Sequence, residues 1–406
     1  TIIFDRLLIS MRFQSYFNTA ITLIKLYDGK FPLAIFLKQY FAVHKKHGSK
    51  DRKFISHLCY CYYRLGHAFD NISTEEKLKT TLFLCNESVG DWQFLFEESW
   101  LQNWSPALPQ RIQFIQQVVT DFSVENIFPW QNELSQSIDA ASFSAAHLTQ
   151  PFLYVRIRPG HEKSVIQRLR DNEIAFKKIS ENTLSFANGT KLESVLDINK
   201  EVVIQDVSSQ SIVTFISPEF LQINWNSKWK VWDCCVASGG KTILLQDIHP
   251  NNQLFLTDVR QTMLFQLQQR LHAARINHWK FEAADLTKEK STLKHNSLYD
   301  FIIADVPCTG SGTWSRTPEQ IQFFNPEIIK DFSEKQKKII SNVIPQLKPN
   351  GYLLYITCSA FAKENEAVVA YIKENFHLQL IKMEVLKGYE NSADTMFAAL
   401  FKNDVR

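Results

Sequence analysis

Hydrophobic and polar positions in the first third of the chain recur with the three-to-four-residue spacing of amphipathic helices. The runs are FPLAIFLKQYF, ISHLCYCYYRLGHAF, TEEKLKTTLFLC and ALPQRIQFIQQVV. A stripe of this period buries one face of each helix against its neighbours. We therefore predict an all-helical N-terminal domain over residues 1–148.

A basic segment, HKKHGSKDRKF, lies between the first two of these helices. Its positive residues are Lys45, Lys46, Lys50, Arg52 and Lys53. A charge run of this kind is usually a solvated helix start. Its other interpretation is a surface that binds the phosphates of a nucleic acid.

The pattern changes at Pro151, where FLYVRIR alternates like a strand. HEKSVIQRLRDN then has helical spacing, IAFKKI and TLSFAN are short strand-like runs, and KLESVLDIN and EVVIQD complete a helix and a strand. This order predicts a small ferredoxin-like α+β module over residues 149–216. Its basic side chains at Arg156, Arg158 and Lys177 would suit a phosphate backbone. A plain α+β linker domain is the alternative.

From Ser217 onward, apolar strands alternate with helical stretches. The strand candidates are WKVWDCC, NQLFLTD, YDFIIAD and GYLLYIT, and the helices are TMLFQLQQRLHAARI, PEIIKDFSEKQKKIISNVIPQL and NEAVVAYIKENF. Such alternation predicts an α/β domain over residues 217–406, with a mostly parallel sheet and helices on both faces. Ligands then bind at the carboxyl ends of the strands.

Composition narrows the class of protein. The 406 residues are 45% hydrophobic and 21% charged, with a net charge of +3, so the chain is globular and compatible with a nucleic-acid partner. The chain has seven cysteines, an odd number that argues against a disulfide framework. The sequence contains no CxxC pair, which argues against a zinc ribbon. We expect no metal and a reducing, cytoplasmic location. The sequence contains no uncharged apolar stretch long enough to span a membrane, so we expect no membrane-spanning segment. The first ten residues lack the layout of a signal peptide.

The first strand of the α/β domain runs into VWDCCVASGGKT. Gly239 and Gly240 allow a tight turn that approaches a ligand, and a helix starting near Lys241 would point its N-terminal amides at an anionic group. The spacing is neither GxGxxG nor GxxxxGK[ST], which disfavours a dinucleotide site or a P-loop. An ordinary tight turn is the simplest alternative.

Acidic residues stand at the ends of three further strand candidates. Asp258 ends NQLFLTD, Asp285 lies in FEAADL between this strand and the next, and Asp305 ends YDFIIAD. Singly, each is more often a helix cap or a loop residue. Together they favour an adenosine-containing cofactor, with Asp258 accepting the ribose hydroxyls and Asp285 the adenine amino group.

Two cysteines also follow strands at this edge, Cys308 in DVPCTG and Cys358 in ITCSAF. A single buried cysteine is usually inert. Cytosine chemistry needs a thiolate, because carbon 5 takes a methyl group only after a nucleophile adds at carbon 6. A second thiol would then serve in releasing the product.

These residues resemble the signature motifs of the RNA cytosine-5 methyltransferases of the Sun/Nop type, in the bacterial ribosomal-RNA branch. The motifs are DCCVASGGKT, DVPCTGSGTW and TCSAFAKENE, with QDVSSQ before them and ADTMFAALFK after them. The resemblance implies a Rossmann-like methyltransferase core that uses S-adenosylmethionine, preceded by the ferredoxin-like module and a NusB-like helical domain. It also implies that the protein acts on RNA, with ribosomal RNA as the expectation and transfer RNA as the alternative. We expect a monomer.

The resemblance implies a role for each matching residue. Cys358 would be the nucleophile, Cys308 would assist product release, Asp305 would hold and protonate the cytosine, and Lys241 would contact the cofactor or the target. Arg316, in SRTPE, would organise the site. The cofactor-binding residues would be Cys235, Val236, Ala237, Ser238, Gly239, Gly240, Lys241, Asp258, Asp285 and Asp305.

The chain departs from the family pattern at two places. Val236-Ala237-Ser238 stands where the family usually has Ala-Ala-Pro, which loosens the turn, and Thr395-Met396-Phe397 stands where the family usually has Gly-Phe-Phe. Both cysteines, Lys241 and the three acids are intact, so we expect activity. The alternatives are a methyltransferase acting on a non-RNA acceptor and a non-catalytic RNA-binding or ribosome-assembly protein.

Overall fold

The computed structural model describes residues 2–69, 72–86, 88–221, 228–288 and 297–404. These residues form two compact units. The helical unit contains the described residues up to Asn132, together with 139–150 and 314–325. The α/β unit contains 133–138, 151–313 and the described residues from Pro326 onward. The predicted domain boundaries at 148/149 and 216/217 stay predictions.

The helical unit is built from the amphipathic segments of the N-terminal part. Its helices are α1 (Ile2–Leu26), α2 (Leu33–Val43), α3 (Ser49–Arg64), α4 (Thr74–Cys85), α5 (Glu98–Gln102), α6 (Leu108–Val118), α7 (Ala140–Ala146) and α14 (Glu319–Phe323). Helix α4 begins at a capping box, in which Ser73 and Glu76 each accept the other's backbone N–H. Aromatic rings fill the core: Phe83 is fully buried and meets Trp100 edge to face, with centroids 5.2 Å apart.

The α/β unit contains the predicted ferredoxin-like sheet, which we call the small module. It consists of β1 (Leu153–Ile157), α8 (Glu162–Asp171), β2 (Lys177–Lys178), β3 (Thr183–Phe186) and β4 (Val202–Ile204). The strand order is β2-β3-β1-β4 and every pairing is antiparallel. This strand order is that of a split βαβ fold, as predicted, but of the two predicted helices only α8 forms.

One predicted element of the small module is not a helix. KLESVLDIN forms successive turns, in which the backbone N–H groups of Val195 and Leu196 both donate to the carbonyl of Leu192. Leu192 and Leu196 are buried in the module core, and Asn199 reverses the chain with φ of +70°. A single turn therefore suffices to bury the two leucines before β4.

The larger sheet of the α/β unit has seven strands. They are β5 (Lys230–Asp233), β6 (Gln253–Asp258), β7 (Trp279–Ala283), β8 (Tyr299–Asp305), β9 (Leu347–Thr357), β10 (Leu378–Leu386) and β11 (Met396–Asn403). The order is β10-β11-β9-β8-β5-β6-β7, and β11 runs antiparallel to both of its neighbours. Four parallel pairings place the carboxyl ends of β5, β6, β7, β8 and β9 at one edge, as predicted.

Helices cover both faces of this sheet. They are α9 (Val207–Gln210), α10 (Val213–Ile216), α11 (Pro218–Leu221), α12 (Gly240–Ile248), α13 (Gln261–Ala273), α15 (Ile328–Val343) and α16 (Glu366–Asn375). Ile243 of α12 and Leu267 of α13 belong to one core with Val231 of β5. On the opposite face, Tyr355 of β9 donates its hydroxyl to Gln336 of α15 at 3.2 Å. The predicted Rossmann-like layering is thus confirmed. No helix among the described residues has both the length and the apolarity to cross a bilayer.

Candidate active site

The two cysteines predicted to carry the chemistry meet at the carboxyl edge of the sheet. Strands β8 and β9 are parallel neighbours, with Asp305 opposite Ile356. The loops that follow the two strands therefore begin next to each other at this edge of the sheet. The sulfur atoms of Cys308 and Cys358 lie 3.2 Å apart, and both residues are half-buried free thiols. The hydrogen bond to Cys358, together with burial, raises the pKa of Cys308 well above its usual value. Cys308 is therefore protonated at neutral pH.

Gly312 fixes the position of Cys358 from the loop after β8. Its backbone N–H donates to the carbonyl of Cys358 at 2.9 Å, and its own carbonyl accepts from the N–H of Thr395 at 2.8 Å. A Cβ at this position would lie 2.0 Å from the carbonyl oxygen of Thr395. Only glycine allows this approach, which the sequence analysis missed although the TGSG run marks the place.

A buried carboxylate, also missed, ties the two cysteine loops together. Glu364 is fully buried and accepts from the backbone N–H of Thr309 at 2.9 Å, from the hydroxyl of Ser359 at 2.6 Å and from the amide of Gln336 at 3.0 Å. Burial raises the pKa of Glu364, although the hydrogen bonds from Ser359 and Thr309 oppose the shift. The signal in the sequence was the acidic KENE run shortly after Cys358.

Lys241 and Asp305 form a short ion pair beside the thiols. Lys241 lies in the first turn of α12, and its Nζ donates to Oδ2 of Asp305 at 2.6 Å. Burial lowers the pKa of Lys241, but the Asp305 carboxylate outweighs it, with a smaller contribution from the charge of Cys358, so the pKa is raised overall. The site therefore keeps a positive charge on Lys241, near Cys358.

Asp233, at the end of β5, lies behind this ion pair. The hydroxyl of Thr242 donates to its Oδ2 at 2.6 Å, whereas its Oδ1 is buried and has no hydrogen-bond partner among the described residues. Burial raises the pKa of Asp233 to about 7, although the Thr242 hydrogen bond opposes the shift and Asp305 adds to it.

The segment Cys235–Gly240 forms the predicted tight turn between β5 and α12. Ala237 and Gly239 have φ of +45° and +76°. The N–H of Val236 donates to Thr257 at 2.9 Å, and the N–H of Gly239 returns to the carbonyl of Val236 at 2.8 Å. A Cβ at Gly239 would lie 2.3 Å from Leu267 of α13, so the turn is packed tightly against that helix.

The two outer acids differ in how the structure uses them. Asp258 is buried beside the turn and accepts the N–H of Ala237 at 3.0 Å, as well as the backbone and side chain of Arg260. Asp285 lies beyond β7, where its Oδ1 accepts from the N–H and the hydroxyl of Thr287. These hydrogen bonds lower the pKa of Asp285. Asp258 thus accepts a hydrogen bond from the glycine turn, whereas Asp285 caps a local turn at Thr287.

The prediction that Arg156 and Arg158 serve a phosphate backbone is wrong. Both side chains bind the carboxylate of Asp247 on α12, at 2.5 and 2.7 Å, and both are largely buried. A buried guanidinium needs such a counter-charge. Arg156 and Arg158 are therefore neutralised inside the α/β unit and cannot bind phosphates. Lys177, in contrast, is exposed. Arg316 lies in the 314–325 segment of the helical unit, and its role stays a prediction.

Comparison with known proteins identifies the α/β part of the chain. Residues 220–402 match the family model described as 16S rRNA methyltransferase RsmB/F. Ribosomal RNA small subunit methyltransferase B of Photorhabdus laumondii is 29% identical over 185 residues, which are 45% of this chain and 41% of that protein. The chain thus spans less than half the length of this relative.

Solved structures share the fold. The crystal structure of PH0851 gives a TM-score of 0.65 at 16% identity, covering 94% of this chain and 96% of that one. A methyltransferase homolog protein from Pyrococcus horikoshii gives 0.56 at 20% identity, covering 67% and 92%. Residues 220–402, which carry both cysteines, Lys241 and Asp305, are thus similar to the RsmB/F family of 16S rRNA methyltransferases.

Proposed function

We propose that this protein methylates carbon 5 of a cytosine in RNA, using S-adenosylmethionine and a covalent adduct with Cys358. The observation that carries the proposal is the pair of thiols, Cys308 and Cys358, 3.2 Å apart beside the Lys241–Asp305 ion pair. Other methyl acceptors do not require two thiols at the reacting edge. The proposal includes ribosomal RNA as the substrate, as in the name of the Photorhabdus relative, and a monomer acting in the cytoplasm.

The turn at Cys235–Gly240 fits an adenosine-containing cofactor. Its positive φ angles turn the backbone sharply into the N-terminus of α12, whose free N–H groups suit a carboxylate. Asp258 lies at the turn and would take the ribose, and Asp285, beyond the next strand, would take the adenine. When bound, S-adenosylmethionine supplies an electrophilic methyl group on a positively charged sulfur.

Cys358 starts the reaction as a nucleophile. Its thiolate adds to carbon 6 of cytosine, so that a sulfur–carbon bond forms and the electrons of the carbon 5–carbon 6 double bond become available at carbon 5. Asp305 holds the ring and passes it a proton taken from the Lys241 ammonium, whose Nζ lies 2.6 Å from Asp305, so that Asp305 remains a carboxylate. Carbon 5 is then nucleophilic enough to accept the methyl group.

Cys308 acts at the end of the reaction. After methylation, the proton on carbon 5 passes to a water molecule and its bonding pair re-forms the ring double bond. The sulfur–carbon bond breaks at the same time, its electron pair returns to the Cys358 sulfur, and the proton added to the ring goes back through Asp305 to Lys241. The protonated Cys308 thiol, 3.2 Å away, donates a hydrogen bond to this departing sulfur. Thiolates that are hydrogen bonded leave more easily, which is how Cys308 assists release.

The test combines methyl-tritiated S-adenosylmethionine with unmodified total RNA and three proteins: the parent, Cys358→Ala and Cys85→Ala. Cys85 is a thiol of the helical unit and serves as the matched control. We expect 5-methylcytosine from the parent and the control and none from Cys358→Ala. Label in a non-RNA acceptor would overturn the RNA proposal, and RNA binding without any label would indicate a non-catalytic binding protein.

A further inference from the structure

The turn at Cys235–Gly240 carries unusual backbone strain next to its departure from the family pattern. Ala237, a residue with a Cβ, has φ of +45°, which L-residues adopt at a cost. Such a conformation persists only where neighbouring groups fix it. The residue that follows, Ser238, lacks the ring that would restrict its φ.

Arg270 of α13 holds this turn from outside. Its Nη1 donates to the carbonyl oxygen of Ser238 at 2.8 Å, and its Nε donates to Oδ1 of Asn199 at 2.7 Å. The guanidinium is planar, so satisfying both acceptors fixes its orientation and therefore the position of the Ser238 carbonyl. The turn is thus tied to the small module, because Asn199 precedes β4.

Asn199 is itself anchored on the far side. Nη1 of Arg158 donates to the Asn199 carbonyl at 3.1 Å and to the Ala274 carbonyl at the end of α13 at 2.8 Å. The same Arg158 binds Asp247 on α12, the helix that the turn leads into. The hydrogen bonds therefore close a ring from the turn through α13 and the small module back to α12.

We propose that Arg270 is a positioning residue, which braces the turn at Ser238 against Asn199 and so sets the affinity for S-adenosylmethionine. This inference rests on the proposed function, since it concerns the same cofactor site. It assigns the small module a part in cofactor binding through Asn199, which contacts Arg270 and not the turn itself. Arg270 would affect the binding of S-adenosylmethionine and not the chemistry at Cys358.

The experiment measures the dissociation constant for S-adenosylmethionine by calorimetry, KM and kcat in the methylation assay, and the melting temperature, all on the full chain. Arg270→Met keeps the aliphatic stem and removes both hydrogen bonds. We expect the dissociation constant and KM to rise about tenfold, as for loss of a charged hydrogen bond, with kcat at saturating cofactor unchanged. Arg170→Met, an exposed arginine on α8, should match the parent.

A second variant keeps the inference falsifiable if Arg270→Met folds poorly. Asn199→Gly deletes the acceptor amide, and glycine tolerates the φ of +70°. We expect a smaller loss of affinity, and no further loss when it is added to Arg270→Met, because the two residues act through one brace. Parent-like affinity in both variants would overturn the brace and leave the proposed function standing. Failure of the parent itself to bind S-adenosylmethionine would instead overturn the proposed function.

Discussion

The backbone N–H of Gly312 donates to the carbonyl oxygen of Cys358 over 2.9 Å, so that the loop after β8 holds the cysteine at the end of β9. On its other side, Gly312 accepts from Thr395, at the start of β11. Three strands thus converge on one residue without a side chain. The position of Cys358 depends on this convergence as much as on its own strand.

Gly312→Ala should impair catalysis by displacing Cys358. The added Cβ would lie 2.0 Å from the Thr395 carbonyl oxygen and 3.0 Å from that of Cys358, so the backbone must shift. A displacement of about 1 Å at a reacting group costs on the order of a hundredfold in rate. We expect kcat to fall by roughly that factor, measured at saturating RNA and cofactor. In Gly189→Ala, the control, the Cβ meets no atom within 4 Å, and kcat should be retained even though the φ of +81° lowers stability.

Cys308→Ala should trap the protein on its RNA. Addition by Cys358 remains possible, but the departing sulfur loses the hydrogen bond from the Cys308 thiol. We expect a protein–RNA adduct that survives denaturing electrophoresis and that is absent from Cys358→Ala and from the double variant. Normal release of methylated RNA by Cys308→Ala, without an adduct, would refute the two-cysteine mechanism.

The two outer acids should differ in their effect on cofactor affinity. Asp258→Asn removes a buried charge at the glycine turn, and we expect the dissociation constant for S-adenosylmethionine to rise about tenfold to a hundredfold. Asp285→Asn should have a smaller effect, because Asp285 holds only its local turn at Thr287, whereas Asp258 also holds the N–H of Ala237 in the glycine turn. Calorimetric titration of both variants checks the order, and equal losses would contradict this division of roles.

Ionisation of Asp233 should lower the stability of the fold as pH rises. Its pKa is about 7 in the folded protein and near 4 in the unfolded chain, so between these values the folded state binds more protons and the free energy of unfolding falls with increasing pH. Asp233→Asn should remove a slope of up to about 1.4 kcal/mol per pH unit between pH 5 and 6. Urea unfolding of both proteins across this range measures the difference. Parallel curves would show that Asp233 ionises normally.

The basic cluster around the start of α3 should contribute to RNA binding through its exposed lysines. Replacing Lys45, Lys46 and Lys53 by Glu should weaken binding and reduce the dependence of log affinity on log salt, by roughly 0.7 for each RNA phosphate that a lysine no longer neutralises. The control replaces three exposed lysines of α15, at Lys330, Lys335 and Lys338. If both triple variants change the salt slope equally, the cluster has no special role and is a solvated helix start.

Local patterns in the sequence predicted most of the elements. Helix α4 covers Thr74–Cys85, the whole of the run TEEKLKTTLFLC, because apolar spacing and the Ser73 cap act within a few residues of each other. The central parallel strands are buried on both faces, so they are visible in the sequence as continuous apolar runs. Cys308, Cys358 and Asp305 could therefore be assigned to one edge, since parallel strands end together.

Tertiary structure decided which charges are free and which residues support the site. Arg156 and Arg158 have the composition of a phosphate surface, yet Asp247, distant in sequence, neutralises them inside the α/β unit. Glu364 and Gly312 lie in motifs that the sequence analysis quoted, but their roles depend on contacts with Thr309 and Thr395. KLESVLDIN has helical spacing but needs only one turn to bury its leucines.

The sequence by itself determined most of the helices and parallel strands and placed Cys308, Cys358 and Asp305 at strand ends, because apolar periodicity and motif spacing are local properties of the chain. Only the tertiary structure decided that the thiols of Cys308 and Cys358 lie 3.2 Å apart, that Glu364 is buried between their loops, and that Arg270 ties the glycine turn to Asn199. Burial and pairing of charged groups depend on partners far apart in the chain. Their energies are fixed only when the chain is packed.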